Sequence, residues 1–143
     1  MTNEELVREA YEARKMSYAP YSEFKVGAAL LTKAGKVYRG CNIENASYGA
    51  TNCAERTAFF KAVSEGEHEF AAIAIIGQKD DVTPELEEYA APCGICRQVM
   101  REFCDPKTFK VVLASRPDHI REFTLEELLP LSFGPDNLIK ENI

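Results

Sequence analysis

Much of what narrows the reading of this chain is missing from it. No apolar run approaches the roughly 20 residues a bilayer-spanning helix needs, so no membrane role is expected. The stretch from Met1 to Arg14 is charged and lacks an apolar h-region, so no secretory signal is expected. No cluster of lysine and arginine appears, and the net charge is −6. A protein that grips DNA or RNA presents a basic face to the phosphates, so no nucleic-acid partner is expected. The five cysteines do not make a disulfide framework. Three fall in a metal-like pattern and Cys41 and Cys104 stand alone, which predicts a reducing, cytoplasmic compartment. No internal repeat or low-complexity segment is visible.

What remains is a chain of 143 residues, 45% hydrophobic, which predicts one domain over 1–143 with a core of its own. Thr2-Asn3-Glu4-Glu5 has the form of a capping box, and Leu6, Val7, Ala10, Tyr11 and Ala13 recur near helical spacing. A first helix is therefore expected to about Ser17, before Pro20. Strands are expected over 24–31 and 36–41, joined by a turn at Thr32-Lys33-Ala34-Gly35. Residues 42–52 read as a polar loop. Residues 53–64 read as a helix with Asn52 as its N-cap and Gly66 near its end. The apolar run 70–77 has the length of a buried strand. The acidic stretch 78–91 reads as irregular, with Thr83-Pro84-Glu85 able to start a short helical turn. A helix over 93–103, strands over 108–115 and 121–124, a small helix over 125–129 and a tail over 131–143 complete the chain. This order predicts a three-layer α/β/α sandwich on a mixed five-stranded sheet.

The two stretches that carry chemistry are Asn52-Cys53-Ala54-Glu55-Arg56 and Ala91-Pro92-Cys93-Gly94-Ile95-Cys96-Arg97. Each opens a helix, where exposed N–H groups and the dipole lower thiol pKa values. Cys53, Cys93 and Cys96 supply three thiolates, and a catalytic zinc takes three protein ligands with the fourth position open. Glu55 sits two residues from Cys53 and can face that position without ligating. Three thiolates around Zn²⁺ leave a net negative charge, so compensation is expected from Arg56 and Arg97, which follow the ligand cysteines. A Cys₃ set with a non-ligating Glu and a Pro-Cys-x-x-Cys half marks zinc deaminases of nucleobases, with Cys-Ala-Glu here in place of His-x-Glu. Two other readings stay open. A structural zinc could close on Cys41 or Cys104, since His68 and His119 lie in polar segments, and Cys-x-x-Cys can serve redox chemistry. Neither needs a base beside the ligands, which is what Glu55 argues for. The absence of a basic face favours a free small molecule over a polynucleotide.

The residues also resemble a family, the small homotetrameric zinc-dependent cytidine deaminases. The similarity runs through Ala19-Pro20-Tyr21-Ser22-x-Phe24-x-Val26-Gly27-Ala28-Ala29-Leu30 and Gly40-Cys41-Asn42-Ile43-Glu44-Asn45-Ala46-Ser47-Tyr48. It continues through both cysteine stretches to Gln98 and through Glu126-Glu127-Leu128-Leu129-Pro130. The resemblance implies one Zn²⁺ per subunit on Cys53, Cys93 and Cys96, with Glu55 shuttling protons. It implies a nucleoside substrate, with Asn42 and Glu44 on the ribose, Phe24 on the pyrimidine, the backbone of Ala54 on the base edge, and Ile43 within the same binding segment. Sites shared between subunits are implied, with Tyr48 and Phe133 serving a neighbour. The reaction implied is hydrolysis of cytidine or 2′-deoxycytidine to uridine or 2′-deoxyuridine plus ammonia, in pyrimidine salvage. An alternative is a deaminase for another amino-heterocycle, such as a blasticidin-type nucleoside. Two departures stand out: Ala91 replaces a serine, and the 78–91 loop is longer than the family pattern.

Overall fold

The computed structural model describes residues 1–139. Asn3–Arg14 forms α1, and Thr2 caps it by accepting from the Glu5 N–H at 3.1 Å while Glu5 reaches back to the Thr2 N–H. This is the capping box read from the sequence. The helix ends three residues earlier than expected, in turns through Ser17.

Phe24–Thr32 forms β1 and Val37–Cys41 forms β2, an antiparallel hairpin. Its turn uses Gly35 at φ 97°, a conformation that favours glycine. Ala54–Ser64 is α2, Phe70–Lys79 is β3, Gly94–Phe103 is α3, Lys110–Arg116 is β4, His119–Thr124 is β5 and Leu125–Leu128 is α4. The strand order is β2-β1-β3-β4-β5. Among the five strands of the described residues only β3 and β4 pair in parallel, and α3 lies in the crossover between them.

The alternation of residues along the strands assigns the two faces. Leu6, Val7 and Ala10 of α1 cluster with Ala29, Ala72, Ala74, Ile76, Val112 and Ala114 on one side. On the other, α2 and α3 pack on Ala28, Leu30, Ile73, Ile75, Val111 and Leu113. The chain is therefore the expected three-layer sandwich, with α1 alone forming the thinner outer layer. Close approach of helix to sheet depends on missing side chains. A Cβ at Gly27 would lie 1.9 Å from the Ala10 carbonyl oxygen, and one at Gly40 would lie 2.4 Å from that of Ala54. Both helices can sit this low only over glycine.

Several local expectations need correction. The N-cap of α2 is Cys53, not Asn52. Asn52 instead exchanges backbone hydrogen bonds with Ile43, at 2.9 Å in each direction, so it is spent on an isolated bridge. Likewise Cys93 caps α3 rather than beginning it, its sulfur accepting from the Cys96 N–H at 3.5 Å. Thr83-Pro84-Glu85 starts no helix. It leads only into a single turn, closed by the Glu88 N–H donating to the Glu85 carbonyl at 3.1 Å, while the carbonyls of Pro84 and Leu86 accept from the side chains of Arg116 and Ser115 and hold the loop against β4. β5 is longer than expected because His119 and Ile120 pair with Arg116 and Ala114. The polar loop contains a 3₁₀ turn at Tyr48–Ala50, and the tail has another at Pro135–Asn137. The end of the tail read as 131–143 lies outside the described residues.

Candidate active site

Two helix starts converge beside the carboxyl end of β3. Because the backbone turns at Cys53 and Cys93 before each helix begins, their side chains project where the first N–H groups of α2 and α3 point. Cys96 lies one turn into α3 and is buried. The three Sγ atoms all lie within 4.8 Å of one another, and Cys53 and Cys93 are 3.8 Å apart. A tetrahedral zinc with Zn–S bonds of about 2.3 Å requires S···S edges of about 3.8 Å, so the donor set fits that ion. Among the described residues this is the one group with metal-ligand spacing.

Charge explains why these thiols suit a cation. Cys53 falls to about 5, through hydrogen bonding with Cys96 and with the Arg56 guanidinium, whose Nη2 donates to Cys53 Sγ at 3.2 Å. Cys96 moves in the opposite direction, because the same sulfur contact and its burial both oppose a second negative charge. The cluster therefore gives up its first proton readily and resists losing the rest until a positive ion offsets the repulsion.

Glu55 is 5% exposed, and burial raises its carboxyl to about 7. It lines a cavity of about 260 Å³ together with Cys53, Cys93, Ala54, Phe24 and Asn42. The structure thus gathers six of the expected site residues around one space. Asn42 is oriented by β1: its Oδ1 accepts from the Val26 N–H at 2.9 Å and its Nδ2 donates to the Phe24 carbonyl at 2.8 Å. One N–H and one lone pair remain free in principle for a ligand.

The other expected residues are elsewhere. Glu44 and Tyr48 line an adjoining cavity of about 380 Å³ with Tyr21 and Ser22, and Thr51 borders both spaces. The Glu44 carboxylate accepts from the N–H groups of Tyr21 and Ser22 at 3.0 and 3.1 Å and from the Ser22 hydroxyl. That hydroxyl holds its pKa below the ordinary value. Ile43 and Phe133 line neither cavity. Ile43 pairs with Asn52 through its backbone, and the Phe133 carbonyl accepts from Gln98 Nε2 at 2.8 Å while its ring is exposed.

Arg97 does not compensate the thiolates as expected. Its guanidinium donates to the carbonyls of Pro92 at 2.8 Å and Leu128 at 2.7 Å, so it ties the cysteine loop to α4. Spacing does not separate the two, since Arg56 follows Cys53 by three residues and Arg97 follows Cys93 by four; the Pro92 and Leu128 carbonyls take the Arg97 guanidinium, whereas that of Arg56 reaches the Cys53 sulfur. The sequence reading also missed Val26, Thr51 and Ala90 as lining residues. Thr51 was legible from its place just ahead of Cys53. Ala90 carried no signal, since only the path of the loop brings it in.

The family model for the cytidine and deoxycytidylate deaminase zinc-binding region matches residues 1–113. The chain belongs to this family. It is 51% identical over 138 residues to the cytidine deaminase of Halalkalibacterium halodurans, covering 96% of this chain and 98% of the relative. The cytidine deaminase of Sporosarcina psychrophila is 47% identical, with 96% of each chain covered. A crystal structure of cytidine deaminase from Burkholderia pseudomallei superposes with a TM-score of 0.81 at 51% identity. That match covers 93% of this chain and all of the other. As a family member with a Cys₃ cluster of the right size, the chain takes one zinc per subunit on Cys53, Cys93 and Cys96.

Proposed function

We propose that this deaminase-family chain hydrolyses cytidine and 2′-deoxycytidine to the corresponding uridine and ammonia, as a cytoplasmic enzyme of pyrimidine salvage. The observation that carries the reading is Glu55, a carboxyl with a value near neutrality in the same small cavity as the three-thiol centre. A structural staple has no use for it. A bound zinc supplies a Lewis acid that makes a water molecule acidic enough to give up its proton near neutral pH.

The protein's own groups do the rest. Glu55 takes the proton from water and delivers it to N3 of the base, so that oxygen can bond to C4 as the ring's C=N bond opens. Glu55 then directs a proton to the amino nitrogen, which leaves as ammonia while the C4 oxygen becomes the carbonyl of uridine. A buried carboxyl in the same cavity as the three thiols can both accept and donate a proton there, a contribution on the order of 10²–10⁴-fold. Asn42, fixed by β1, meets a ribose hydroxyl with its remaining donor and acceptor, and Glu44 meets the sugar from the adjoining cavity. Ala54 stands first in α2, and its N–H, with no partner inside the helix, is offered to the O2 edge of the base. Phe24 packs on the pyrimidine.

We place the four subunits in a closed homotetramer with shared sites, D₂ being the common arrangement. The exposure of Tyr48 at 77% and of Phe133 at 58% supports their serving a neighbour's cavity. Loss of ultraviolet absorbance on incubation with cytidine tests the reaction. A protein that ignores cytidine but consumes a blasticidin-type nucleoside would replace the assignment with the other amino-heterocycle. For the shared site, Glu55→Gln and a truncation before Phe133 are expected to complement partly when unfolded and refolded together. A monomer fully active at nanomolar dilution would end that idea.

A further inference from the structure

The segment that carries Phe133 is fastened to α3 by polar groups while its apolar side chains are left out. Gln98 and Arg101 lie three residues apart on that helix and so share a face. Gln98 Nε2 donates to the Phe133 carbonyl at 2.8 Å, Arg101 Nε donates to Ser132 Oγ at 2.8 Å, and Arg101 Nη2 meets Asp136 Oδ1 at 2.6 Å. The Arg101 side chain is only 12% exposed. Gly134 lets the tail lie directly on it, since a Cβ at that position would overlap the guanidinium. The Gly134 N–H closes the segment by donating to Asn137 Oδ1 at 2.8 Å. The chain is thus pinned on both sides of Phe133, yet the Phe133 ring is exposed. Leu131, just before it, is fully exposed, and its backbone sits at φ 51°, a region that costs a branched residue energy. A tail docked for its own stability buries its apolar groups and leaves the polar ones in water. Here that order is reversed.

We infer that Arg101 is a positioning residue for the site of the neighbouring subunit, its guanidinium holding the tail at Ser132 and Asp136 and so fixing where the Phe133 ring enters that site. The inference rests on the shared site proposed above. Two coplanar donors suit the role, because Nε and Nη2 hold both flanks of Phe133 at once. Lysine offers a single point of charge, and methionine, of similar bulk, offers no donor. A tail ordered in advance spares the nucleoside that ordering on binding, so the contribution falls on affinity rather than on the chemical step.

The test measures kcat and KM for cytidine and the affinity for uridine by calorimetry, alongside melting temperature and zinc content. Arg101→Met is expected to keep kcat within about threefold and to raise KM and the uridine Kd about tenfold, the pattern of lost binding rather than lost chemistry. Arg101→Lys is expected to fall between the two. Ser132→Ala with Asp136→Asn removes the acceptors instead, leaves α3 untouched and gives the same rise, which keeps the test open should Arg101→Met fold poorly. In a Phe133→Ala background Arg101→Met is expected to add nothing, since the side chain it positions is gone. Mixing shows where the effect is felt. Refolded with an excess of Glu55→Gln, the Arg101→Met chains hold the working carboxyls and receive intact tails from their neighbours, so KM is expected to return to the wild-type value. If Phe133→Ala raises KM while Arg101→Met and the acceptor variant do not, the inference is overturned and the shared site stands. A rise that adds to that of Phe133→Ala, or that mixing does not relieve, overturns it as well. An unchanged KM in Phe133→Ala removes the shared site and the inference with it, and a wild type inactive on cytidine overturns the deaminase reading.

Discussion

The two faces of the sheet solve different problems with different residues. The α1 face is built from small side chains, Ala10 against Gly27, Ala29, Ala72 and Ala74, and its helix is seated as low as the backbone allows. The α2/α3 face holds the large rings, with Phe59 in contact with Phe70, Phe103 and Phe109 at centroid distances of 5.1 to 6.1 Å. Those rings fill the space between the helices and the sheet beyond Gly40, over which α2 starts low, and at the end of this layer lie the thiols, Glu55 and the cavity. A layer of small side chains lets the helix close directly onto the sheet. A thick layer with an open end leaves volume where two helix N-termini can point at a ligand. Stability and chemistry should therefore separate by face.

The largest effect should come from the thick face. Glu55→Gln is expected to keep zinc and fold and to lose at least about 10²-fold in kcat, measured by steady-state assay with metal analysis. Near wild-type turnover would refute the role given to Glu55. On the thin face, Gly27→Ala is expected to lose about 3 kcal/mol of stability by overpacking, because the helix backbone itself must lift. The kcat of the fraction still folded should be unchanged. Urea titration with activity in parallel checks this, and an activity loss without a stability loss would break the contrast between the faces.

The buried carboxyl makes the thick face pH-sensitive when zinc is stripped. Its pKa is raised from 4.5 to about 7, so the native state binds its proton more tightly than the unfolded chain does. The stability tied to that proton is complete below about pH 4.5 and is lost as pH rises through about 7, a difference of about 3 kcal/mol. Metal-free Glu55→Gln should accordingly melt above metal-free wild type at pH 8 and match it at pH 4.5. Arg56→Ala should have the smallest effect. Without the donor to Cys53 Sγ, that thiol's pKa rises, so protons compete with zinc at higher pH. The pH at which half the zinc is lost, followed with a chromophoric chelator, and the pH–rate profile should both move up by about one unit. An unmoved profile would leave Arg56 as a charge on the helix. The corresponding substitution of Arg97 should leave that pH unchanged and lower the melting temperature, since its hydrogen bonds go to Pro92 and Leu128.

Where the sequence was misleading, the reason is the same in each case. Asn52 has the chemistry of an N-cap and Thr83-Pro84-Glu85 that of a helix start, yet each has its backbone taken by a partner distant in the chain: Ile43 for the first and Arg116 for the second. Local preference amounts to about 1 kcal/mol at a cap and gives way to such pairing. Arg56 and Arg97 look alike beside their cysteines, and what tells them apart is the Leu128 carbonyl, which the fold brings to Arg97 from a distant part of the chain.

The sequence by itself determined the elements, the layer order, the three thiols and the carboxyl. These follow from periodicity, from capping chemistry and from residues close enough in the chain to stay together however it folds. Only the tertiary structure decided that Phe24 and Asn42 share a cavity with Glu55 while Glu44 and Tyr48 border the next one. It alone decided that the wall of that cavity, at Phe24, Val26 and Ala90, packs against the bare backbone of Gly77. Those facts depend on the register between β1 and β3 and on the path of the 78–91 loop. Both are set by contacts between segments far apart in the chain, β1 with β3 for the first and the loop with Ser115 and Arg116 for the second, and no local preference in either segment encodes the distance between them.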